Sequence, residues 1–284
     1  MTRFLILIIL IVLVIGSILV AGPHLFTLDN NKHVVFSSSK IDGSKSQIYF
    51  AYFLPSVQKI QIFPLSSQLV EVIGGYGEYQ LEAVYPLLKM EKKDHRFQSA
   101  AMSWAVGVVV DEVSDFSFQS NLETKKHLQR QLKNMVIKDL AHPQLLVESL
   151  KLLFFTRSIP MEQVKIETQP IALDQLKTSA ASMIYEDCLV AVVNTTNKAG
   201  LAAEMSTILE KTGAVVVRIV DQSSPYQLST FSYEADNLAC QALVDRAQAL
   251  FPTQIVKQDN YKLRQEYRAD LVIFIGEDLA KKIN

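Results

Sequence analysis

The N-terminal segment carries the longest apolar run of the chain. Residues 4–21 read FLILIILIVLVIGSILVA, with no charged side chain and only Ser17 as a polar one. At a rise of about 1.5 Å per residue, a helix over this run spans about 27 Å, close to the roughly 30 Å of a bilayer's hydrocarbon core. A core helix of a soluble protein needs a polar face, which this run lacks. We therefore predict a transmembrane helix, with residues 1–22 forming a cytoplasmic tip and membrane anchor.

A cleaved signal peptide is the alternative interpretation of the same segment. Its apolar region is normally about 7–15 residues long, and Pro23 directly follows the small residues at which a peptidase would cut. We favour an uncleaved signal anchor. Arg3 precedes the helix and no basic cluster follows it closely, so the positive-inside rule places the N-terminus in the cytoplasm. We expect a single-pass protein of a cell membrane whose bulk is extracytoplasmic.

Residues 33–157 mix short strand patterns with helical patterns. Runs that are apolar or alternate between apolar and polar positions predict strands; they lie at 33–36, 48–54, 57–63 and 105–110. Apolar side chains recur at helical spacing in three further stretches, at 81–88, 128–136 and 145–153. This mixture predicts an α/β domain. The weakly patterned segment 158–186, which contains Pro160 and Pro170, is predicted to link it to a second domain.

Residues 187–280 show the clearest pattern of the predicted exported part. The run CLVAVV at 188–193 is typical of a strand buried on both faces. Residues 201–209 have an apolar helical face, and the apolar run at 214–220 predicts a second buried strand, so a βαβ unit is expected. The run LVIFI at 271–275 supplies a final buried strand. The fold class is thus α/β: a transmembrane helix followed by two α/β domains, the second a small βαβ-containing sandwich.

This C-terminal region resembles the LytR C-terminal domain, an exported module of bacterial cell-envelope proteins. Three segments carry the resemblance: VAVVNTTNKAGLA at 190–202, TGAVVVR at 212–218 and ADLVIFIGED at 269–278. They match an apolar strand, an Asn-containing turn, a Gly-Leu that opens a helix, and a last strand that closes on Gly-x-Asp. The resemblance implies a cell-envelope protein.

The region 33–157 is similar to the LytR-CpsA-Psr domain that often precedes that module. In that family, an Arg-Ser-Asp run and a Pro-Arg-Asp run hold a pyrophosphate-linked lipid and its metal, and the activity is transfer of a glycopolymer from a polyprenyl carrier to peptidoglycan. Here the corresponding strand pair reads KSQIYF at 45–50 and IFPLSS at 62–67. Gln47 and Leu65 supply neither a cation nor a carboxylate. The resemblance therefore implies a degenerate domain, for which we predict no catalytic residue, no metal ligand and no cofactor.

Charge and histidine spacing narrow the possible partners. The balance of 28 basic and 29 acidic side chains gives no general attraction to nucleic acid. The five histidines show no HxxxH or HExxH spacing, so no metal site is expected. Lys125, Lys126 and Arg130 form a basic group that we take as candidate ligand-binding residues for a lipid phosphate. A solvated helix face explains these three residues equally well.

Two local features of the C-terminal region have alternative explanations. Cys188 and Cys240 are interpreted as two buried apolar thiols, and a single disulfide is the alternative if the domain faces an oxidising compartment. The turn 194–200 between strand and helix is interpreted as a packing turn, with Asn197 capping the helix, rather than as an anion site.

Together these patterns predict a membrane-anchored, extracytoplasmic cell-envelope protein that is non-catalytic and scaffolds or binds wall or lipid-linked glycopolymer. Its partners would be the lipid bilayer and a cell-wall glycopolymer or polyprenyl-linked lipid. The alternative is a divergent glycopolymer transferase acting on polyprenyl-pyrophosphate-linked substrates. Such an enzyme needs a deep pocket lined with several arginines and carboxylates, whereas a scaffold does not.

Overall fold

The structure is a computed structural model. It describes residues 27–28, 31–38, 47–73, 76–115, 124–141, 143–173, 175–176, 187–222, 224–252 and 255–283. The predicted membrane anchor at residues 1–22 lies outside these ranges. Within them, no helix has both the length and the apolar character needed to cross a membrane.

The described residues form a mixed α/β structure, as the sequence patterns predicted. The strands are β1 Lys32–Ser38, β2 Gln47–Leu54, β3 Lys59–Pro64, β4 Leu69–Val72, β5 Gly77–Gln80, β6 Glu112–Asp115, β7 Val164–Ile166, β8 Leu189–Asn194, β9 Val215–Asp221, β10 Thr230–Tyr233, β11 Val256–Gln258 and β12 Leu271–Ile275. The helices are α1 Leu81–Met90, α2 His95–Val106, α3 Thr124–Lys138, α4 Pro143–Ser158, α5 Leu201–Lys211, α6 Leu238–Ala247, α7 Tyr261–Tyr267 and α8 Glu277–Ile283.

Strands from residues 32–166 build a five-stranded sheet of order β6-β1-β2-β3-β7 and a small β4-β5 ribbon. Strand β1 runs parallel to β6, and β3 runs parallel to β7. Helix α2 begins where the carboxylate of Asp94 accepts a hydrogen bond of 2.9 Å from the Phe97 amide. This side chain satisfies an amide that the first helical turn leaves without a partner.

The C-terminal region builds a second five-stranded sheet of order β11-β10-β12-β8-β9. Strand β8 runs parallel to both β12 and β9, and its residues from Val190 to Asn194 are buried. Helix α5 connects β8 to the parallel strand β9, so the predicted βαβ unit is present. The expected burial of β9 is wrong: β9 is an edge strand, and Val217 and Ile219 are about half exposed. Strand β12 occupies the predicted run 271–275 and is buried throughout.

The apolar run 105–110 does not form the strand that we expected. Ala105 and Val106 end helix α2, and Gly107 adopts the left-handed conformation (φ 68°) that closes it. The three valines that follow are fully buried but lie outside the strands. The prediction was wrong because apolar composition reports burial, and a buried loop shares that composition with a buried strand.

The contacts between residues divide the chain into two compact units. The first includes the described residues of 51–62 and 118–167, where helices α3 and α4 pack together and the Phe53 ring centroid lies 6.4 Å from that of Phe155. The second includes 33–50, 63–117 and 168–283. The division into a first domain at 33–157, a linker at 158–186 and a second domain at 187–280 remains a prediction.

A disulfide joins Cys188, just before β8, to Cys240 in the first turn of α6. The two Cα atoms are 5.1 Å apart, and both residues are fully buried. Our preference for two free thiols was therefore wrong, and the alternative of one disulfide is correct. The side chain of Asn237 caps α6 by accepting a hydrogen bond of 3.0 Å from the Cys240 amide, which fixes this end of the bridge.

Candidate functional site

One pocket brings together Gln47 and Leu65, from the two strand segments that the sequence analysis compared with the LytR-CpsA-Psr domain. Strand β2 begins at Gln47 and β3 ends just before Leu65, whose amide donates a hydrogen bond of 2.8 Å to the Ile48 carbonyl. The pocket has a volume of about 440 Å³. We call it the strand-end pocket; it is lined by Gln47, Ile48, Leu65, Ser66, Ser67, Leu81, Glu82 and Pro170.

Backbone hydrogen bonds fix the walls of the strand-end pocket. The amide of Ser66 donates to the Ile171 carbonyl at 3.0 Å, and the amide of Ile171 donates to the Pro64 carbonyl at 2.9 Å. The side-chain oxygen of Gln47 accepts a hydrogen bond of 2.9 Å from the Tyr49 hydroxyl. Burial raises the pKa of that hydroxyl, so at neutral pH Tyr49 is an uncharged hydrogen-bond donor.

The polar residues that line the pocket are Gln47, Ser66, Ser67 and Glu82. The Ser67 hydroxyl lies 2.7 Å from Glu82 Oε1 and 2.9 Å from Gln80 Oε1. A hydroxyl carries one proton, so it donates to one of these oxygens at a time. The remaining lone pairs can accept hydrogen bonds from a neutral, hydroxyl-bearing ligand.

The charge of the strand-end pocket does not suit a pyrophosphate. Among the described residues that line it, Glu82 carries the single formal charge, and that charge is negative. A pyrophosphate is normally met by fixed cations or by a metal held by several carboxylates. In the described part of the chain, no group of three or more His, Cys, Asp or Glu side chains is placed to hold a metal ion.

The three basic residues predicted to bind a ligand all lie on helix α3. The Lys125 ammonium donates hydrogen bonds to the carbonyl oxygens of Ile159 and Arg157, the latter at 3.3 Å. It is thereby engaged at the C-terminal end of α4, where helix carbonyls attract cations. Lys126 and Arg130 are exposed. None of the three is among the described residues that line the strand-end pocket, and their role in ligand binding stays a prediction.

A second cavity, which the sequence analysis did not identify, lies in the second unit. We call it the α2–α5 cleft; it has a volume of about 490 Å³. Three separated segments supply most of it: 68–71, the end of α2 at 104–107, and helix α5. Its polar and aromatic lining residues are Gln68, Glu71, Trp104, Glu204, Thr207 and Lys211. No local motif joins these residues, which is why the sequence pattern gave no signal.

The α2–α5 cleft combines an aromatic ring with charged and neutral hydrogen-bonding groups. The Trp104 indole N–H donates to the Leu250 carbonyl at 2.9 Å, which fixes the orientation of the ring. Burial raises the pKa of Glu204; Lys198 opposes this shift, and the negative charge of Glu71 adds to it. Two carboxyl groups near an indole and a threonine hydroxyl form the kind of lining that fixes a hydroxyl-rich or amine-bearing ligand.

The turn 194–200 is a packing turn organised by Asn194. Its side-chain oxygen accepts from the amide and the hydroxyl of Thr196, at 3.0 and 2.7 Å. Its amide group donates to the Lys198 carbonyl at 2.7 Å and to Asp221 at 2.9 Å. We expected Asn197 to cap α5, and this prediction was wrong: the cap position is Gly200, with φ 83°. The four bonds of Asn194 explain the difference, because they set the path of the turn before the helix begins.

Comparison with protein families supports the resemblance of the C-terminal region. The family model described as LytR cell envelope-related transcriptional attenuator matches residues 187–279. The predicted relation to the LytR C-terminal domain is therefore confirmed. No curated protein matches the sequence.

Several solved structures are similar to the chain at low identity. A transcriptional regulator from Enterococcus faecalis is 10% identical, with a TM-score of 0.26, over 84% of this chain and 93% of that one. TagT of Bacillus subtilis, a LytR-CPS2A-psr family protein, is represented by a structure with bound octaprenyl pyrophosphate lipid (10% identity, TM-score 0.25) and by one bound to LI-WTA (10%, 0.27). Both cover 78% of this chain, and 89% and 91% of theirs. These TM-scores are too low to establish a shared arrangement of the whole chain.

Proposed function

Because residues 187–279 form a LytR C-terminal domain, a cell envelope-related module, we propose that this chain is a membrane-tethered, extracytoplasmic envelope protein. It binds cell-wall glycopolymer, or its lipid-linked precursor, without transferring it. The observation that carries the proposal is the strand-end pocket. The positions that hold charges in the resembled transferases come together there, lined by neutral side chains and one carboxylate.

The membrane tether and the outer location are supported by the sequence and by the disulfide. Residues 4–21 are long and apolar enough to span a bilayer, and Arg3 favours a cytoplasmic N-terminus. The disulfide between Cys188 and Cys240 is the kind of bond that persists in oxidising compartments and is rare in the cytosol. An outer location explains how this bond forms.

The electrostatics of the strand-end pocket support the proposed absence of transfer chemistry. Transfer from a polyprenyl pyrophosphate develops negative charge on the leaving phosphate, which cations or a metal must stabilise. The carboxylate of Glu82 would instead repel the phosphate. Removing a single stabilising donor commonly costs about 10²–10³ in rate. A pocket with Leu65 where the resembled family has an arginine, and with the Glu82 carboxylate in its wall, should therefore not support transfer.

The α2–α5 cleft is the better place for the glycan itself. Its volume of about 490 Å³ falls within the range of about 300–1,000 Å³ typical of small-molecule sites. Glu71, Glu204 and Thr207 offer acceptors for sugar hydroxyls, and Trp104 offers an apolar surface. These are the groups that an uncharged, hydroxyl-rich polymer needs.

Binding can be tested with glycopolymer fragments released from purified bacterial cell walls. The full chain in detergent is titrated with the fragments by calorimetry, together with Glu204→Gln. The matched control is Glu210→Gln, on the same helix but outside the lining of the cleft. Loss of a hydrogen bond to a charged group should weaken binding about tenfold in the first variant and leave it unchanged in the second. No binding by the wild-type chain, or equal binding by both variants, would contradict the proposal.

A further inference from the structure

A buried arginine of the C-terminal domain contacts two residues from the first half of the chain. Arg246, near the end of helix α6, is 6% exposed. Its Nη2 atom lies 2.6 Å from His33 Nδ1 and 3.7 Å from Asp111 Oδ2. All three residues belong to the same compact unit, although His33 and Arg246 are separated by 213 positions in the sequence.

His33 and Asp111 are held rigidly opposite each other. The His33 amide donates to Asp111 Oδ2 at 2.7 Å, and the Asp111 amide donates to the His33 carbonyl at 2.9 Å. His33 Nδ1 also lies 2.8 Å from the Val109 carbonyl oxygen. The Phe50 ring packs against the imidazole at a centroid distance of 5.4 Å. The Val109 carbonyl and the Phe50 ring therefore both contact the imidazole and define its position.

The contact between Arg246 and His33 depends on the protonation state of the imidazole. A guanidinium group only donates hydrogen bonds and is always charged. His33 Nδ1 lies between this donor and the Val109 carbonyl oxygen, which only accepts, so Nδ1 can satisfy one of the two at a time. It accepts from Arg246 when the ring is neutral and carries its proton on Nε2. In the protonated ring Nδ1 carries a proton, which suits the Val109 carbonyl but points a second positive charge at a guanidinium 2.6 Å away. Two positive charges this close together in a buried site repel each other, and the Asp111 carboxylate offsets part of that repulsion.

We propose that His33, Asp111 and Arg246 form an acid-sensitive latch that seats the LytR C-terminal domain against strand β1. The latch is closed while His33 is neutral, and protonation of His33 opens it. Among the contacts described above, the charged groups beside His33 are Arg246 from α6 and Asp111 from the segment before β6, and β2 contributes the uncharged Phe50 ring. This inference rests on the contacts alone and not on glycopolymer binding.

The direction of the pH effect follows from proton uptake. A solvent-exposed histidine titrates near pH 6.5, so the open chain takes up a proton that the latched chain excludes. The state that binds more protons becomes more stable relative to the other as the pH falls. The latch should therefore weaken as the pH falls through about 6.5, a range that the outer face of a cell meets when its surroundings acidify.

The test compares thermal unfolding of the full chain in detergent at about pH 7.5 and about pH 5.5. We expect the wild-type midpoint to fall by at least about 3 °C. The variant His33→Asn keeps an acceptor but cannot titrate, and it should lose most of that fall. His95→Asn, at an exposed histidine that starts α2, is the control and should fall as the wild type does.

Arg246→Gln gives the sharper outcome, because it removes the charge that opposes protonation. A protonated His33 beside Asp111 is then favourable, so the acid fall should vanish or reverse. If Arg246→Gln does not fold, hydrogen exchange of the wild-type chain replaces it: exchange in α6, corrected for intrinsic rates, should rise as pH is lowered through about 6.5. An unchanged acid fall in His33→Asn, or acid-independent exchange in α6, would overturn the latch.

Discussion

Breaking the bridge between Cys188 and Cys240 should remove a large share of the stability of the C-terminal domain. The two cysteines are 52 positions apart. For a closed loop of about this length, the chain-entropy relation gives about 14 cal/mol/K, which is about 4 kcal/mol at 25 °C. A folded domain is typically stable by about 5–15 kcal/mol in total. Loss of the bridge should therefore bring the domain close to its unfolding threshold.

The assay is urea unfolding of the full chain in detergent, with and without reductant during a cycle of unfolding and refolding, because both sulfurs are buried. We expect reductant to lower the unfolding midpoint of the C-terminal domain strongly in the wild-type chain. The double variant Cys188→Ala/Cys240→Ala is the matched control; it should start at a low midpoint and show no response to reductant. Two titratable thiols in the denatured, unreduced wild type, or a midpoint that reductant leaves unchanged, would refute the reasoning.

Three further outcomes are expected from the same structure. A Cβ at Gly276 would lie 2.5 Å from the Leu228 carbonyl carbon, so Gly276→Ala should lower the free energy of unfolding, measured with denaturant, by about 1–3 kcal/mol. At Gly200 nothing lies within 4 Å of the added Cβ, so Gly200→Ala should lower it by only about 1 kcal/mol, because of the left-handed φ. Burial raises the pKa of Glu204, so the stability that this group contributes is present at acidic pH and lost as the pH rises through its folded pKa. Glu204→Gln should therefore raise the melting midpoint at neutral pH but not at about pH 4. The control Glu210→Gln should change neither midpoint. Protease added to intact spheroplasts should digest the chain beyond residue 22, and protection of the whole chain would contradict the proposed topology.

Much of the fold could be predicted from the sequence because its strands and helices are strongly patterned. The runs 188–193, 214–220 and 271–275 each coincide with a buried or edge strand of one sheet. The helical stripe between the first two identified helix α5. A strand buried on both faces and a helix with one apolar stripe leave different periodicities, so neighbouring elements of these kinds can be told apart.

The remaining features depend on contacts between distant segments. The run 105–110 was misassigned because burial without strand pairing leaves the same apolar composition. The pairing of Cys188 with Cys240 is set by the approach of β8 to α6, which no local pattern encodes. The α2–α5 cleft and the cluster around Arg246 are likewise assembled from parts far apart in sequence.

By contrast, the sequence analysis treated Gln47 as part of one site with Leu65 and Ser66, and these residues do lie close together in the structure. The two positions line one pocket because the start of β2 and the end of β3 meet through the hydrogen bond between Leu65 and Ile48. The sequence could show which charges are missing there, but not that Ser67 and Glu82 would complete the wall.

The central claim, an envelope protein that binds glycopolymer without transferring it, is tested most directly by a turnover assay. Purified full chain in detergent is incubated with polyprenyl pyrophosphate, and with glycopolymer linked to it, with and without magnesium. We predict neither hydrolysis nor transfer, and no difference between the wild type and the triple variant Lys125→Ala/Lys126→Ala/Arg130→Ala. Turnover that is present in the wild type and lost in the triple variant would contradict the account and establish a divergent transferase in its place.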